Sequence, residues 1–290
     1  MSSAVLAKLQ TDFDTLPRVL QQAARWVADH PSDVCFLSMR EQARLADVVP
    51  PTMARLAKVL GFPSWRAFQD EFRGYVSWGA GDYAARAERL QHAEKRSHQT
   101  VTRLEHLQEA NLKSLSALND GERLARVATL LRKAKTVAFL GFRSCHSVAL
   151  HAHYLHSMLL GRGVLLADAW GTLTEMVEAL EPGTVLVAIS LAPYSRQTVA
   201  AVQQAAAREI SIVAITDSDL SPLARVADER LLFGAASNSF FHSLVAAHAL
   251  VECVMAEVAA RGGKTVLARL KARETLLNDS GAYWAPPRSR

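Results

Sequence analysis

The chain has 290 residues, half of them apolar, which is enough for two domains that each bury a core. The net charge is +5, but the excess lies after residue 260, where seven basic residues accompany two acidic ones, so the overall charge does not by itself indicate a nucleic-acid-binding protein. No apolar run approaches the roughly 20 residues that cross a bilayer, so we expect no membrane association.

The N-terminal residues and the cysteines favour a cytoplasmic protein. The first residues lack a basic flank before an apolar stretch, so no signal peptide is predicted. Cys35, Cys145 and Cys253 are odd in number and far apart, which favours reduced thiols over a disulfide framework.

Residues 16–76 are predicted to form short helices joined by tight turns. Ser38 and Glu41 have the spacing of a capping box, Pro50 suits the first turn of a further helix, and Gly61 suits its end. Apolar residues recur at helical spacing on either side of these signals. They are Val19, Leu20, Ala23, Trp26 and Val27 before Pro31, and Trp65, Phe68, Phe72 and Val76 after Gly61.

The stretch Ser38–Phe62 has the dimensions of a helix-turn-helix unit with its turn at 47–49. Its predicted packing residues are Ala43, Leu45 and Ala46 in the first helix and Met53, Leu56, Ala57 and Leu60 in the second. The residues predicted to face DNA are Arg40, Pro51, Thr52, Arg55 and Lys58. In such units the start of the second helix meets base edges, and basic residues meet phosphates. The alternative is a small helical bundle with mixed surface charges.

Polar residues over 82–118 predict a helical connector, and the pattern changes after Arg132. Short apolar runs then alternate with helical stretches, which predicts a doubly wound α/β domain with a parallel five-stranded sheet behind the all-α helix-turn-helix bundle. The runs are Thr136–Leu140, Val164–Leu166, Val185–Ile189, Ile210–Ile215 and Arg230–Phe233. The predicted divisions are 1–80 for the bundle, 81–115 for the connector, 116–260 for the α/β domain and 261–290 for a basic helix and tail.

Three loops at the predicted strand ends are rich in hydroxyl groups, and two of them carry an arginine. In a doubly wound sheet, ligands bind beyond the carboxyl ends of the strands, where helix N-termini attract anions. The predicted ligand-binding residues are Arg143, Ser144, Ser147, Ser190, Ser195, Arg196, Thr198 and Thr216. No phosphate-binding or dinucleotide glycine motif is present, so no nucleotide cofactor is expected. The alternative is that these residues only cap helices.

Histidines and acidic residues of the predicted α/β domain raise two further kinds of chemistry, metal binding and catalysis. His146, His151, His153 and His156 lie within eleven positions, and His153 and His156 could share a helix face; three or four converging ligands would make a zinc site, whereas packing is the alternative. Catalysis by proton transfer would need Glu175, Glu178 or His242, but nothing pairs them into an acid/base arrangement. We therefore expect neither a metal nor an enzyme.

The N-terminal segment resembles the DNA-binding domain of RpiR/MurR regulators. That family places an alanine, a turn residue, a valine, a Thr-x-x-Arg-Leu core and a closing Leu-Gly-Phe at positions that correspond to Ala43, Asp47, Val48, Thr52–Leu56 and Leu60–Phe62 here. Gln42, Asp47 and Val49 depart from the usual leucine, glycine and serine.

Residues 116–260 resemble the SIS domain, a flavodoxin-like sugar isomerase module that these regulators carry behind their DNA-binding domain. Ser144 and Ser147 lie in its first serine loop, and Ser190 opens its second loop. Ser195 and Thr198 match later positions of that loop, which here has three inserted residues and Arg196 in place of a glycine.

The resemblance, which covers about four fifths of the chain, implies a transcription regulator that binds operator DNA and senses a sugar phosphate or sugar acid. The implied assembly is a homodimer or homotetramer. An isomerase-type enzyme and a sugar-binding oligomerisation module without DNA binding are the alternatives.

Overall fold

The computed structural model describes residues 9, 11–30, 34, 38–69, 83–94, 100–237 and 239–284. Its N-terminal part is helical. A single 3₁₀ turn at Phe13–Thr15 is followed by α1 (Arg18–Asp29), α2 (Met39–Leu45), α3 (Pro50–Val59), α4 (Tyr83–Glu94) and α5 (Thr100–Leu118). Residues 65–69 are also helical, whereas Phe72 and Val76 lie outside the described residues.

The first three helices bury one apolar core. Most of the predicted packing residues are buried, and Trp65 and Phe68 close the core from the C-terminal side. The buried members on α3 and at its end are Met53, Leu56, Ala57 and Leu60. The N-terminal region is therefore a helical bundle that contains the α2–turn–α3 arrangement expected of a helix-turn-helix.

Local sequence signals explain where α2 and α3 begin and end. The Ser38 hydroxyl accepts a hydrogen bond from the Glu41 amide at 3.3 Å, which is half of the predicted capping box. The Glu41 carboxylate pairs instead with Arg44 at 2.6 Å. Asp47 adopts a left-handed φ of 52°, which aspartate tolerates better than most residues, and Pro50 opens α3.

Two side chains of this unit face the opposite way from the prediction. Thr52 was predicted to point outward, yet only 8% of it is exposed; it precedes Leu56 by one helical turn and so shares the buried face of α3. Leu45, predicted to pack inside, is 43% exposed at the end of α2. Both predictions are wrong.

The C-terminal part is a five-stranded sheet in which all neighbours are parallel. Its strands are β1 (Thr136–Leu140), β2 (Gly163–Leu165), β3 (Thr184–Ser190), β4 (Ser211–Thr216) and β5 (Glu229–Leu232), in the order β2-β1-β3-β4-β5. The predicted parallel sheet is confirmed, and every strand falls within one residue of its predicted bounds.

Helices cover both faces of the sheet because alternate strand residues point to opposite sides. The remaining helices are α6 (Gly121–Lys133), α7 (Cys145–Leu159), α8 (Leu173–Glu178), α9 (Arg196–Ala207), α10 (Val245–Ala260) and α11 (Gly263–Asp279). Val137 and Phe139 pack with α6, α7 and α10, whereas Ala138 and Leu140 pack with α8 and α9. Among the described residues, no helix is long and apolar enough to cross a membrane.

Two asparagines attach the end of the connector to the sheet. The Asn119 side chain, after α5, donates to the Leu232 carbonyl and accepts from the Leu232 amide, both at 2.7 Å. One α5 residue, Asn111, makes the same pair of bonds to Ala236 at 2.7 and 3.0 Å. Each asparagine side chain therefore makes the two backbone hydrogen bonds that a further strand would make, Asn119 at the β5 edge and Asn111 just beyond β5.

Candidate functional site

The carboxyl edge of the sheet carries the candidate site. β2 and β3 lie on opposite sides of β1, so the chain winds in opposite directions from this point, where ligands bind in open α/β sheets. Ser190 ends β3 and Thr216 ends β4, and the two residues are register partners. Both are buried, and therefore two predicted hydroxyl residues lie side by side at this edge.

The N-terminus of α9 provides the main anion-attracting feature. The Ser195 hydroxyl caps the helix by accepting from the Thr198 amide at 3.5 Å. The Thr198 hydroxyl is fully buried and has no hydrogen-bond partner among the residues described. Because a buried hydroxyl without a partner is unfavourable, and because a helix N-terminus attracts negative charge, this turn is suited to bind an anion. Arg196 is exposed beside it.

The loop after β1 approaches the same region closely. A Cβ on Gly141 would lie 2.6 Å from the carbonyl oxygen of Cys145, so only glycine allows the first turn of α7 to pack against the end of β1. Arg143 is exposed with a left-handed φ of 54°, and the Ser144 hydroxyl makes no capping bond to α7.

Cys145 joins this loop to the end of β3. Burial raises the pKa of its thiol to about 11, and the repulsion from Asp217 acts in the same direction, while hydrogen bonds to the Leu191 backbone and Ser144 act against it. Burial therefore favours the neutral thiol over the thiolate, which is the nucleophilic form.

Ser147 faces α10 and not the candidate site. Its hydroxyl donates to the Ser144 carbonyl at 2.8 Å and lies 3.4 Å from Nε2 of His248 on α10. His248 in turn lies against His151, with their Nδ1 atoms 3.0 Å apart. The structure thus places Ser147 in a polar contact between α7 and α10.

The insertion after β3 is held in place by Asp217, which the sequence did not single out as a site residue. The Tyr194 hydroxyl donates to its carboxylate at 3.0 Å, and the Ala192 amide donates to it at 3.3 Å. Burial raises the pKa of the Asp217 carboxyl, while these hydrogen bonds act in the opposite direction. Asp217 therefore fixes the loop that leads to Ser195.

The candidate catalytic residues do not form an acid/base pair at this edge. Glu178 forms an ion pair with Arg208, which follows the C-terminal end of α9 and so lies at the opposite side of the sheet from Ser195. Because its partner Arg208 lies at that opposite side, Glu178 lies away from the candidate site. His242 stacks edge-on with Tyr83, and burial lowers the pKa of its imidazole to about 4.

The histidines of α7 serve different contacts. His146 lies 3.3 Å from the Gly141 carbonyl, and His153 lies 3.2 Å from the Gly163 carbonyl. His156 is fully buried against Phe139, and neither of its ring nitrogens has a partner in the described part of the chain. Within the ranges described, no three His, Cys, Asp or Glu side chains are grouped to hold a metal ion.

Acid should destabilise the fold through His156. Burial lowers the pKa of its imidazole from 6.5 to about 4, and the positive charge of Arg162 adds to this. The unfolded chain therefore takes up the proton at a higher pH, so stability falls as the pH falls from 6.5 towards 4, by about 3 kcal/mol. Urea unfolding at several pH values checks this, and His156→Leu should reduce the dependence to the part that comes from other partly buried groups such as His242. An unchanged pH dependence in His156→Leu would contradict the assignment.

The N-terminal bundle presents a basic surface of its own. Pro51, Arg55 and Lys58 are exposed on one side of α3, and Arg40 is exposed in the first turn of α2. Arg44 is neutralised by its pair with Glu41. Four of the five predicted DNA-facing residues are therefore accessible, and Thr52 is the exception.

The architecture at this edge has known relatives. Residues 130–256 match the SIS domain family. The matched residues include all five strands of the sheet. Its five-stranded parallel sheet with helices on both faces is the fold expected of that family.

Some solved structures resemble about three fifths of the chain, and one resembles nearly all of it. The sugar isomerase domain of an RpiR transcription factor from Sphaerobacter thermophilus is 28% identical, covering 61% of this chain and 99% of that one, with a TM-score of 0.59. The Vibrio vulnificus NanR protein complexed with ManNAc-6P is 17% identical, covering 96% of this chain and 100% of that one, with a TM-score of 0.57. A Methanococcus jannaschii protein inferred to be a 3-hexulose-6-phosphate isomerase is 16% identical, covering 59% and 97%, with a TM-score of 0.47.

Proposed function

We propose that this protein is a DNA-binding transcription regulator whose SIS domain senses a phosphorylated sugar or a related small anion. The observation that carries the proposal is the segment after β4, which borders the candidate site at one end and supports the N-terminal bundle at the other. A ligand that moves this segment would move the DNA-binding surface.

The contacts of this segment follow one another along the chain. Thr216 and Asp217 lie at the carboxyl edge, where Asp217 holds Tyr194. Three residues later, Leu220 packs against the apolar core of the N-terminal bundle. Arg225 then forms an ion pair with Asp29 at the end of α1. The route from anion site to bundle therefore spans about ten residues of continuous chain.

Two further observations support the regulator over the alternatives. The exposed row Pro51, Arg55 and Lys58 lies on the second helix of a helix-turn-helix arrangement, where DNA-binding proteins place their reading residues. The relatives with the higher TM-scores include an RpiR transcription factor and NanR in complex with ManNAc-6P. We propose Ser190, Ser195, Thr198 and Thr216 as ligands of the anionic group, with Arg143, Ser144 and Arg196 around them. Ser147, which was also expected there, is not included because its hydroxyl lies between α7 and α10.

The test measures the linkage between effector and DNA. A thermal-shift screen against sugar phosphates and sugar acids identifies the effector, which at 100 times its dissociation constant should add about 2.7 kcal/mol of stability. Calorimetric titration is then repeated with and without DNA from upstream of the protein's own gene. By linkage, effector and DNA must alter each other's affinity by the same factor.

Two variants separate the site from the coupling. Ser190→Ala loses a charge-assisted hydrogen bond, so effector binding should weaken about ten-fold, while DNA binding without effector stays nearly unchanged. Arg225→Ala removes only a surface ion pair, so both intrinsic affinities should persist while the linkage factor falls towards one. Equal effector binding by wild type and Ser190→Ala would show that the site is misplaced. If the wild type binds the effector with the same affinity in the presence and absence of DNA, the proposed regulation is refuted.

We also propose that the protein acts as a homodimer or homotetramer. Leu150 and Tyr154 on α7 and Val245 on α10 are exposed, so the two helices present apolar surface to a second copy. Two-fold symmetric DNA sites need such a pair of bundles. Light scattering at micromolar concentration should give a multiple of the 31.7 kDa chain mass, and a mass of one chain would exclude this assembly.

A further inference from the structure

A tryptophan stands at the margin of the anion site. Trp170 lies in the loop between β2 and α8, and 87% of its surface is exposed. Because β2 is parallel to β1 and adjacent to it, this loop opens at the same edge of the sheet as the loop after β1. An indole ring offers about 150–250 Å² of largely apolar surface, which a ligand bound beside it could cover.

Asp168 connects this loop to the anion site. Its Oδ2 accepts a hydrogen bond at 3.1 Å from Gln197, which lies in the first turn of α9 beside Arg196. Its Oδ1 is buried and has no hydrogen-bond partner in the part of the chain that the structure describes. A carboxylate oxygen in this setting is suited to accept a hydrogen bond from a bound molecule.

We propose that Trp170 and Asp168 form a sugar-ring subsite next to the anion site, so that the effector is a cyclic sugar phosphate. The indole stacks on the C–H face of the ring, and Asp168 Oδ1 accepts a hydrogen bond from a ring hydroxyl. The inference rests on the proposed function, because it takes the anion site as the place of the phosphate.

The charges of this subsite favour the same class of ligand. A carboxylate beside an anion site repels a ligand that is only an anion, such as inorganic phosphate. The same carboxylate favours a ligand that carries its anionic group at one end and neutral hydroxyl donors at the other. Asp168 and Trp170 are two residues apart, at most about 7 Å along the chain, so one sugar ring can contact both side chains.

The experiment compares cyclic and minimal ligands. Glucose 6-phosphate, fructose 6-phosphate, ManNAc-6P and inorganic phosphate are titrated by calorimetry into the full chain and into Trp170→Ala and Asp168→Asn. The best-bound sugar phosphate should lose about ten-fold in affinity in either variant, whereas inorganic phosphate should bind Trp170→Ala as it binds the wild type. The sugar phosphate should also change the tryptophan emission, and Trp170→Phe should abolish that change.

A matched control exists in Trp284, which is 86% exposed near the C-terminal end and far along the chain from the site. Trp284→Ala should bind every probe as the wild type does. Unchanged sugar-phosphate binding by Trp170→Ala, together with weakened binding by Ser190→Ala, would overturn the subsite and leave the proposed function standing. A change of mass in light scattering for Trp170→Ala without a change in affinity would also overturn it. If no probe binds, or if Ser190→Ala binds as tightly as the wild type, the proposed function fails as well.

Discussion

Asn119→Ala should lower the free energy of unfolding by about 2–6 kcal/mol. The Asn119 side chain bonds to both the amide and the carbonyl of Leu232, and all three groups are buried. Removing it leaves two buried backbone groups without a partner, each at a cost of about 1–3 kcal/mol. Urea unfolding monitored by circular dichroism measures the loss.

Two comparisons isolate the cause. Ser116→Ala, on the exposed side of α5 three residues before Asn119, should change stability by less than about 0.5 kcal/mol. Asn119→Asp keeps the acceptor but cannot donate to the Leu232 carbonyl, so it should also be destabilising. Wild-type stability in Asn119→Ala would mean that the β5 edge does not depend on this side chain.

Arg55→Ala should weaken binding to operator DNA by about 1–3 kcal/mol if the side chain contacts a base, which is roughly five- to 150-fold. Arg55 is exposed on α3, whose opposite side is fixed by the buried Met53 and Leu56. Substitution should therefore leave the bundle intact. Fluorescence anisotropy with labelled operator at several salt concentrations measures the change.

The matched control is Arg18→Ala, because Arg18 is exposed at the start of α1, on a helix outside the helix-turn-helix unit. It should affect binding much less than Arg55→Ala. If Arg55 contacts a phosphate, Arg55→Ala should weaken binding to all DNA sequences alike and reduce the salt dependence of binding. If Arg55 contacts a base, Arg55→Ala should relax the sequence preference. Equal binding by wild type and Arg55→Ala would exclude α3 as the reading helix.

The fold could be predicted because its signals are local. The buried strands are short runs of β-branched and other apolar residues, so their pattern located each strand to within one residue. The left-handed turn at Asp47 and the start of α3 at Pro50 follow from backbone preferences of single residues. The orientation of Thr52 was missed because a threonine is compatible with either face of a helix, and only the packing of α1 and α2 on α3 decides between them.

The site could be predicted only in part. Hydroxyl residues after strands indicated the carboxyl edge, and Ser190 and Thr216 are indeed neighbours there. The Tyr194–Asp217 and Asp168–Gln197 bonds join residues 23 and 29 positions apart, and no local pattern announces them. The signal that could have drawn attention to Trp170 is a large aromatic residue in a loop that follows a short strand.

The position of the segment after β4 also bears on how the proposed sensor could diversify. Its residues serve two partners at once, because Asp217 holds the loop before α9 while Leu220 and Arg225 contact the bundle. A substitution there would disturb recognition and signal transmission together. Among the contacts described, the loop of Trp170 makes none with the bundle, so mutations could accumulate in it more freely. Laboratory evolution towards a new effector should therefore enrich changes in the loops after β2 and β3 and leave residues 216–225 largely untouched.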